Sequence, residues 1–166
     1  MKNIKIVLLL LILAFTGTAQ KLATIKHVQD GDSYSAVIGG AFVKLRLINA
    51  DSPELANKYS GKGLQTYGDS AKDLAKYYLH KKTVKVKLYG NDQYGRTLAE
   101  VWVSVEGKQR SLSNLLIKNG YAWVNNEYIQ NETLKRILLS KQEFAKKNKL
   151  GLWKYNSPIE PKEWRK

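Results

Sequence analysis

Between residues 22 and 105 the chain alternates apolar and polar positions in short runs, the period-two signature of strands with one buried face. Five runs stand out, at residues 22–28, 33–38, 41–48, 83–88 and 98–105. Turn residues punctuate them: Asp30-Gly31-Asp32, Gly39-Gly40, and the stretch 91–95. In the third run Val43, Leu45 and Leu47 share one face, so Lys44 and Arg46 point away from the core or into a cleft beside it. The period changes to 3.6 at Tyr67, Ala71, Leu74, Ala75 and Tyr78, which predicts a helix ending at the dipole-complementing His80-Lys81-Lys82. A second, short helix is predicted from a Ser111 cap through Leu112, Leu115 and Leu116 to Asn119-Gly120. A third is predicted over 131–148, with Leu134, Ile137, Leu138, Phe144 and Ala145 on one stripe. Trp153 is expected to pack this end down, and 157–166 reads as a polar tail. The order predicts an α+β chain: a five-stranded barrel of the oligonucleotide/oligosaccharide-binding (OB) type with three helices.

The amino-terminal segment follows a different logic. Lys2 and Lys5 precede an unbroken apolar run at 6–15, and Thr16-Gly17-Thr18-Ala19 supplies small residues of the kind a signal peptidase accepts. The run is about half of the roughly 20 residues that span a bilayer. Residues 1–19 are therefore expected to be a cleaved signal peptide, not a stable membrane anchor. The domain is expected over 20–156, in a secreted or periplasmic protein.

Charge and composition narrow the chemistry. With 28 Lys+Arg against 14 Asp+Glu the net charge is +14, and loss of Lys2 and Lys5 would leave +12. The lysines are spread along the chain, which fits a folded basic face and a polyanionic partner better than a basic arm. Cysteine is absent and only His27 and His80 are present, which excludes thiol nucleophiles, thiolate metal sites and multi-histidine centres. Catalysis, if any, runs on carboxylates, arginine, lysine and tyrosine.

Two clusters offer those groups. The first is Asp30-Gly31-Asp32, then Arg46, then Asp51-Ser52-Pro53-Glu54; the second is Asp92-Gln93-Tyr94-Gly95-Arg96. Each fragment alone reads as turn chemistry. Together they place several loop carboxylates and two arginines around one barrel, a set suited to a hard cation, phosphate recognition and a water-activating base.

In this order, with Arg46 fourteen residues after Asp32 and Lys149-Leu150-Gly151-Leu152-Trp153 closing the chain, the sequence resembles the staphylococcal nuclease (thermonuclease) family from about residue 22 to 153. The resemblance implies an OB-type barrel with three helices and a Ca²⁺-dependent phosphodiesterase acting on DNA and RNA. It further implies that Asp32, Asp51 and the Ser52 carbonyl ligate Ca²⁺ and that Glu54 is the general base. Arg46 and Arg96 would grip the scissile phosphate, and Tyr94 and Tyr128 would position the nucleotide. Cleavage would leave 3′-phosphate products. Asp30 reads as a turn residue. Three positions depart from the family pattern: Ser52 replaces a threonine, Gln93 a lysine, and Asn126 a base-packing tyrosine. The loop 54–67 is also two residues longer, and Lys58 and Lys62 within it are candidate nucleic-acid contacts.

The competing reading is a non-catalytic OB module that holds single strands by charge and stacking. Such a binder needs the lysines but not the carboxylates, which repel phosphate unless a cation intervenes. A surface adhesion protein has only the basic charge in its favour. A monomer is the default expectation.

Overall fold

The computed structural model describes residues 20–56 and 61–166. The expected signal peptide and Lys58 lie outside the described residues. The first three strands, β1 (Lys21–Val28), β2 (Ser33–Ile38) and β3 (Ala41–Leu47), form an antiparallel meander. The two-residue β4 (Ala50–Asp51) and helix α1 (Gly68–Leu79) follow, then β5 (Thr83–Asn91), β6 (Thr97–Val105) and β7 (Lys108–Ser111). Helix α2 (Leu112–Lys118), the two-residue β8 (Trp123–Val124), α3 (Glu132–Lys147), a 3₁₀ turn (Gly151–Lys154) and the one-turn α4 (Pro161–Trp164) complete the chain.

The main sheet runs β3-β2-β1-β5-β6-β7, and a parallel pairing of β3 with β6 (Leu45 with Thr97, Leu47 with Ala99) closes five strands into a barrel. Closure removes the exposed edges an open sheet of this size would present. The inward residues Ile25, Tyr34, Leu45, Val86 and Val101 fill the barrel, and Leu79, Leu112, Leu116 and Leu138 cap it from the helices. Full burial of each large aliphatic side chain is worth roughly 1.5–3 kcal/mol. The barrel therefore supplies a rigid frame for its rim loops.

The five strands and three principal helices agree with the sequence expectation. β7, β4 and β8 were not expected, because runs of two to four residues carry no measurable periodicity. Ser111 sits at the start of α2, but its hydroxyl makes no capping bond, since β7 feeds straight into the helix. On α3 the predicted stripe is too wide. Leu138 and Ala145 are buried, whereas Ile137 and Phe144 are each 47% exposed. The helix docks along a narrower line, on which Gln142 instead accepts the Val124 N–H at 2.8 Å. At its start the Asn131 side chain accepts the Leu134 N–H at 2.9 Å, a regular N-cap. Trp153 packs edge-on against Trp123, with ring centroids 5.4 Å apart.

Candidate active site

The rim of the barrel gathers the first cluster by backbone geometry. Asp30 Oδ1 accepts the N–H groups of Asp32 (3.0 Å) and Ser33 (2.7 Å), which makes Asp30 the turn residue the sequence suggested. Gly31 is required by close approach: a Cβ there would lie 2.6 Å from both Cβ and Oγ of Ser52. The Tyr34 hydroxyl donates to the Gly31 carbonyl at 2.6 Å, tying the turn to the core. On the other side, β4 pairs with β8 so that Asp51 lies opposite Trp123. The β1–β2 turn, the end of β3 and β4 thus converge without any one of them being long.

Asp32, Arg46, Asp51 and Ser52 are all buried there. Arg46 donates to Asp32 Oδ1 through one terminal nitrogen and to Asp51 Oδ1 through the other. Asp32 Oδ2 accepts the Ser52 N–H at 2.6 Å. Burial raises Asp32 from its ordinary value of 3.8 to about 7; Arg46 opposes the shift, while Asp30 and Asp51 add to it. Burial also disfavours the charged form of Arg46, but Asp32 and Asp51 outweigh it and hold the guanidinium firmly protonated.

Glu54 lies one turn further along. Its N–H donates to Gln65 Oε1 at 2.9 Å and its carbonyl accepts the Gln65 N–H at 3.0 Å. Gly68, which opens α1, leaves room for this strand of loop, since a Cβ would sit 2.5 Å from the Glu54 oxygen. The carboxylate itself meets Arg165, whose Nη1 donates to Glu54 Oε1 at 2.6 Å and to Asp51 Oδ1 at 3.1 Å, and whose Nη2 donates to Asp51 Oδ2 at 2.9 Å. Residues 157–166, expected as a polar tail, hold α4 with Pro161 buried and reach the site.

Arg96 comes from the β5–β6 hairpin. Asp92 Oδ1 accepts the N–H groups of Tyr94 and Arg96, each at 2.9 Å, and Asp92 Oδ2 accepts Arg96 Nε at 2.8 Å. Burial would raise the Asp92 pKa, but these bonds and the Arg96 charge outweigh it and lower the value below 3.8. A register shift in β5 between Leu88 and Asn91 aims the hairpin at the cluster, and Arg96 Nη1 reaches Ser33 Oγ at 3.2 Å. The Arg96 guanidinium lies 5.5 Å from the centre of the Tyr94 ring, which is 75% exposed.

Both clusters open on one cleft of about 1050 Å³, lined in part by Arg46, Asp51, Glu54, Tyr94, Arg96 and Tyr128. Burial, with Glu127 and Asp92 adding to it, raises the Tyr128 pKa. Gln93 and Asn126 also face this cleft. Lys62 instead donates to the Trp164 carbonyl at 2.9 Å. Sequence reasoning missed Arg165 and the buried Gln65. The signal for Arg165 was the set Pro158, Ile159, Pro161 and Trp164, too apolar for a free tail; nothing in the sequence marks Gln65.

The donors fit a hard divalent cation. Asp32, Asp51 and the Ser52 carbonyl offer only oxygen, the preference of Ca²⁺. Three carboxylates (Asp32, Asp51, Glu54) face two guanidiniums (Arg46, Arg165). Among the described residues no three acidic or imidazole groups form a ready-made cage.

Comparison with known proteins agrees with this architecture. Residues 44–155 match the family model described as "Staphylococcal nuclease homologue". A Haemophilus influenzae protein named "Uncharacterized endonuclease" is 30% identical over the whole of this chain and 88% of its own length. An Escherichia coli O157:H7 protein of the same name is 31% identical over 84% of this chain and 81% of its own. The "Micrococcal nuclease" of Shigella flexneri is 27% identical over 94% and 87%. With the closed barrel and the carboxylate–arginine rim, this match places the chain in the staphylococcal nuclease family.

Proposed function

We propose that the chain is an exported, Ca²⁺-dependent, sugar-non-specific endonuclease that hydrolyses DNA and RNA phosphodiesters and leaves 3′-phosphate ends. Nuclease chemistry rests on the family match and the endonuclease-named relatives. The observation that carries the finer reading is that Arg46, Asp51, Glu54 and Arg96 line one cleft, with the buried Asp32 paired to Arg46.

When bound by Asp32, Asp51 and the Ser52 carbonyl, Ca²⁺ would polarise a phosphate oxygen and help orient the attacking water. Glu54 takes the proton from that water as it attacks phosphorus. Arg46 and Arg96 donate to the non-bridging oxygens, whose charge grows as phosphorus becomes five-coordinate; planar guanidinium forks match that geometry. The bond to the 5′ oxygen breaks, so the phosphate remains on the 3′ side. Arginine is a poor acid, with a pKa above ~12, so Arg96 stabilises charge and does not protonate the leaving oxygen. Tyr94 and Tyr128 stack against the nucleotide, and Lys62 contacts the strand once its ammonium leaves the Trp164 carbonyl.

Export rests on the basic start, the apolar run and the small residues before Gln20; no described helix is long and apolar enough to cross a membrane. Incubating single-stranded DNA and RNA with the protein in Ca²⁺ or in chelator tests the proposal. Cutting of both polymers in Ca²⁺ alone, with 3′-phosphate ends, is expected. Binding without cutting in every divalent metal would leave the OB binding module instead.

A further inference from the structure

The carboxyl-terminal segment 159–166 is held at the site by specific bonds to the loop that carries Glu54. Gln65 Nε2 donates to the Ile159 carbonyl at 2.6 Å, and Lys62 Nζ to the Trp164 carbonyl at 2.9 Å. Arg165 then covers both oxygens of Asp51 and one oxygen of Glu54. The contact joins residues 114 apart in sequence and lies beyond the stretch 44–155 that matches the family.

We propose that Arg165 is a built-in competitor of the divalent cation: the segment closes the site when no metal is bound, and metal binding displaces it. This rests on the Ca²⁺ reading of Asp32, Asp51 and Ser52. Asp51 Oδ1 is shared by Arg46 and Arg165, and Oδ2 is taken, among the described residues, by Arg165. A cation that coordinates Asp51 needs one of these oxygens. Arg46 is buried and is held by Asp32 as well, so Arg165 is the more readily displaced of the two. The Arg165 side chain is 44% exposed and sits just past a single helical turn, so it is the one that leaves. Trp164 favours release as well, because its indole N–H is buried without a partner among the described residues and regains water when the segment lifts. Displacement frees Glu54 Oε1 to face water and Lys62 to face the substrate. One event therefore switches on metal, base and strand contact together.

The test measures Ca²⁺ binding by calorimetry on the full chain and on Arg165→Gln, Arg165→Lys and Lys162→Gln. Lys162 lines the cleft but lies outside the carboxylate contacts, so its variant measures the loss of one diffuse positive charge. Loss of the Arg165 contacts is expected to tighten Ca²⁺ binding about fivefold or more, since a charge in direct contact outweighs a screened one. Arg165→Lys should be intermediate and Lys162→Gln within about twofold. Ca²⁺ should also shift tryptophan emission to the red in the parent and not in Trp164→Phe. Equal or weaker binding by Arg165→Gln, or an unmoved Trp164 signal while Ca²⁺ binds the parent, overturns this inference and leaves the Ca²⁺ site standing. No Ca²⁺ binding by either the parent or Arg165→Gln overturns both.

Discussion

Two Asp–Arg pairs stand at the site, and they behave in opposite ways. On the hairpin, Asp92 has one arginine and two backbone N–H groups to itself, and its pKa is lowered. On the rim, Asp32 shares Arg46 with Asp51 in a buried site, and its pKa is raised. The first arrangement is complete without a ligand and holds Arg96 out as a fixed donor. The second sets three carboxylates against two arginines and, under the proposed Ca²⁺ reading, would take a cation as well. The same residue types thus serve as a scaffold in one loop and as a receptor in the other, and the difference is burial and stoichiometry.

Breaking the rim should cost most. Arg46→Met leaves Asp32 buried without its arginine and Asp51 with the half-exposed Arg165, and removal of one side of a buried ion pair costs about 3–5 kcal/mol. Urea unfolding without metal should show that loss, and Ca²⁺ should recover a large part of it by taking the place of the lost charge.

The pH response sharpens the contrast. Asp32 is raised in the folded state, so its contribution to stability is present below 3.8 and is lost as pH rises towards about 7. Asp92 is lowered, so its contribution is present above 3.8 and is lost as pH falls through its folded value. Asp32→Asn should therefore flatten the metal-free decline in stability between pH 4 and 7, the window those two values set. Asp92→Asn should cost about 1–2 kcal/mol at neutral pH, from weakened charge-assisted bonds, with the gap closing in acid. Urea midpoints across that range decide both; parallel curves for the two variants would erase the distinction.

The smallest effect on folding is expected at the hairpin tip. Tyr94→Ala should change stability by less than about 0.5 kcal/mol, because the ring is exposed. It should nevertheless weaken binding of single-stranded DNA by roughly 1–3 kcal/mol, the worth of one stacked base. Unfolding and titration of the same variant separate the two quantities.

Much of this was legible in the sequence because it is periodic or local. Val43, Leu45 and Leu47 announce a strand by alternation, and Asp30-Gly31-Asp32 announces a turn by its chemistry. What escaped is what closure brings together. The pairing of Ala50 and Asp51 with Trp123 and Val124 is too short to leave a pattern. Gln65 is polar and buried only because Glu54 and Ile159 meet there. Ile137 and Phe144 follow the helical period yet stay exposed, since the width of a packed face is set by the neighbour and not by the helix. Arg165 sits among charged residues of a segment read as a tail, and its role emerges only once Asp51, far away in the chain, is beside it.

In the proposed function, Glu54 activates water for a Ca²⁺-dependent phosphodiester cleavage. Its most direct test is single-turnover cleavage of single-stranded DNA at saturating Ca²⁺ by the parent chain and by Glu54→Gln, with DNA binding measured alongside. A loss in rate of roughly 10²–10⁴-fold is expected, the usual contribution of a general base, with DNA affinity within a few-fold of the parent. An unchanged cleavage rate in Glu54→Gln would contradict it.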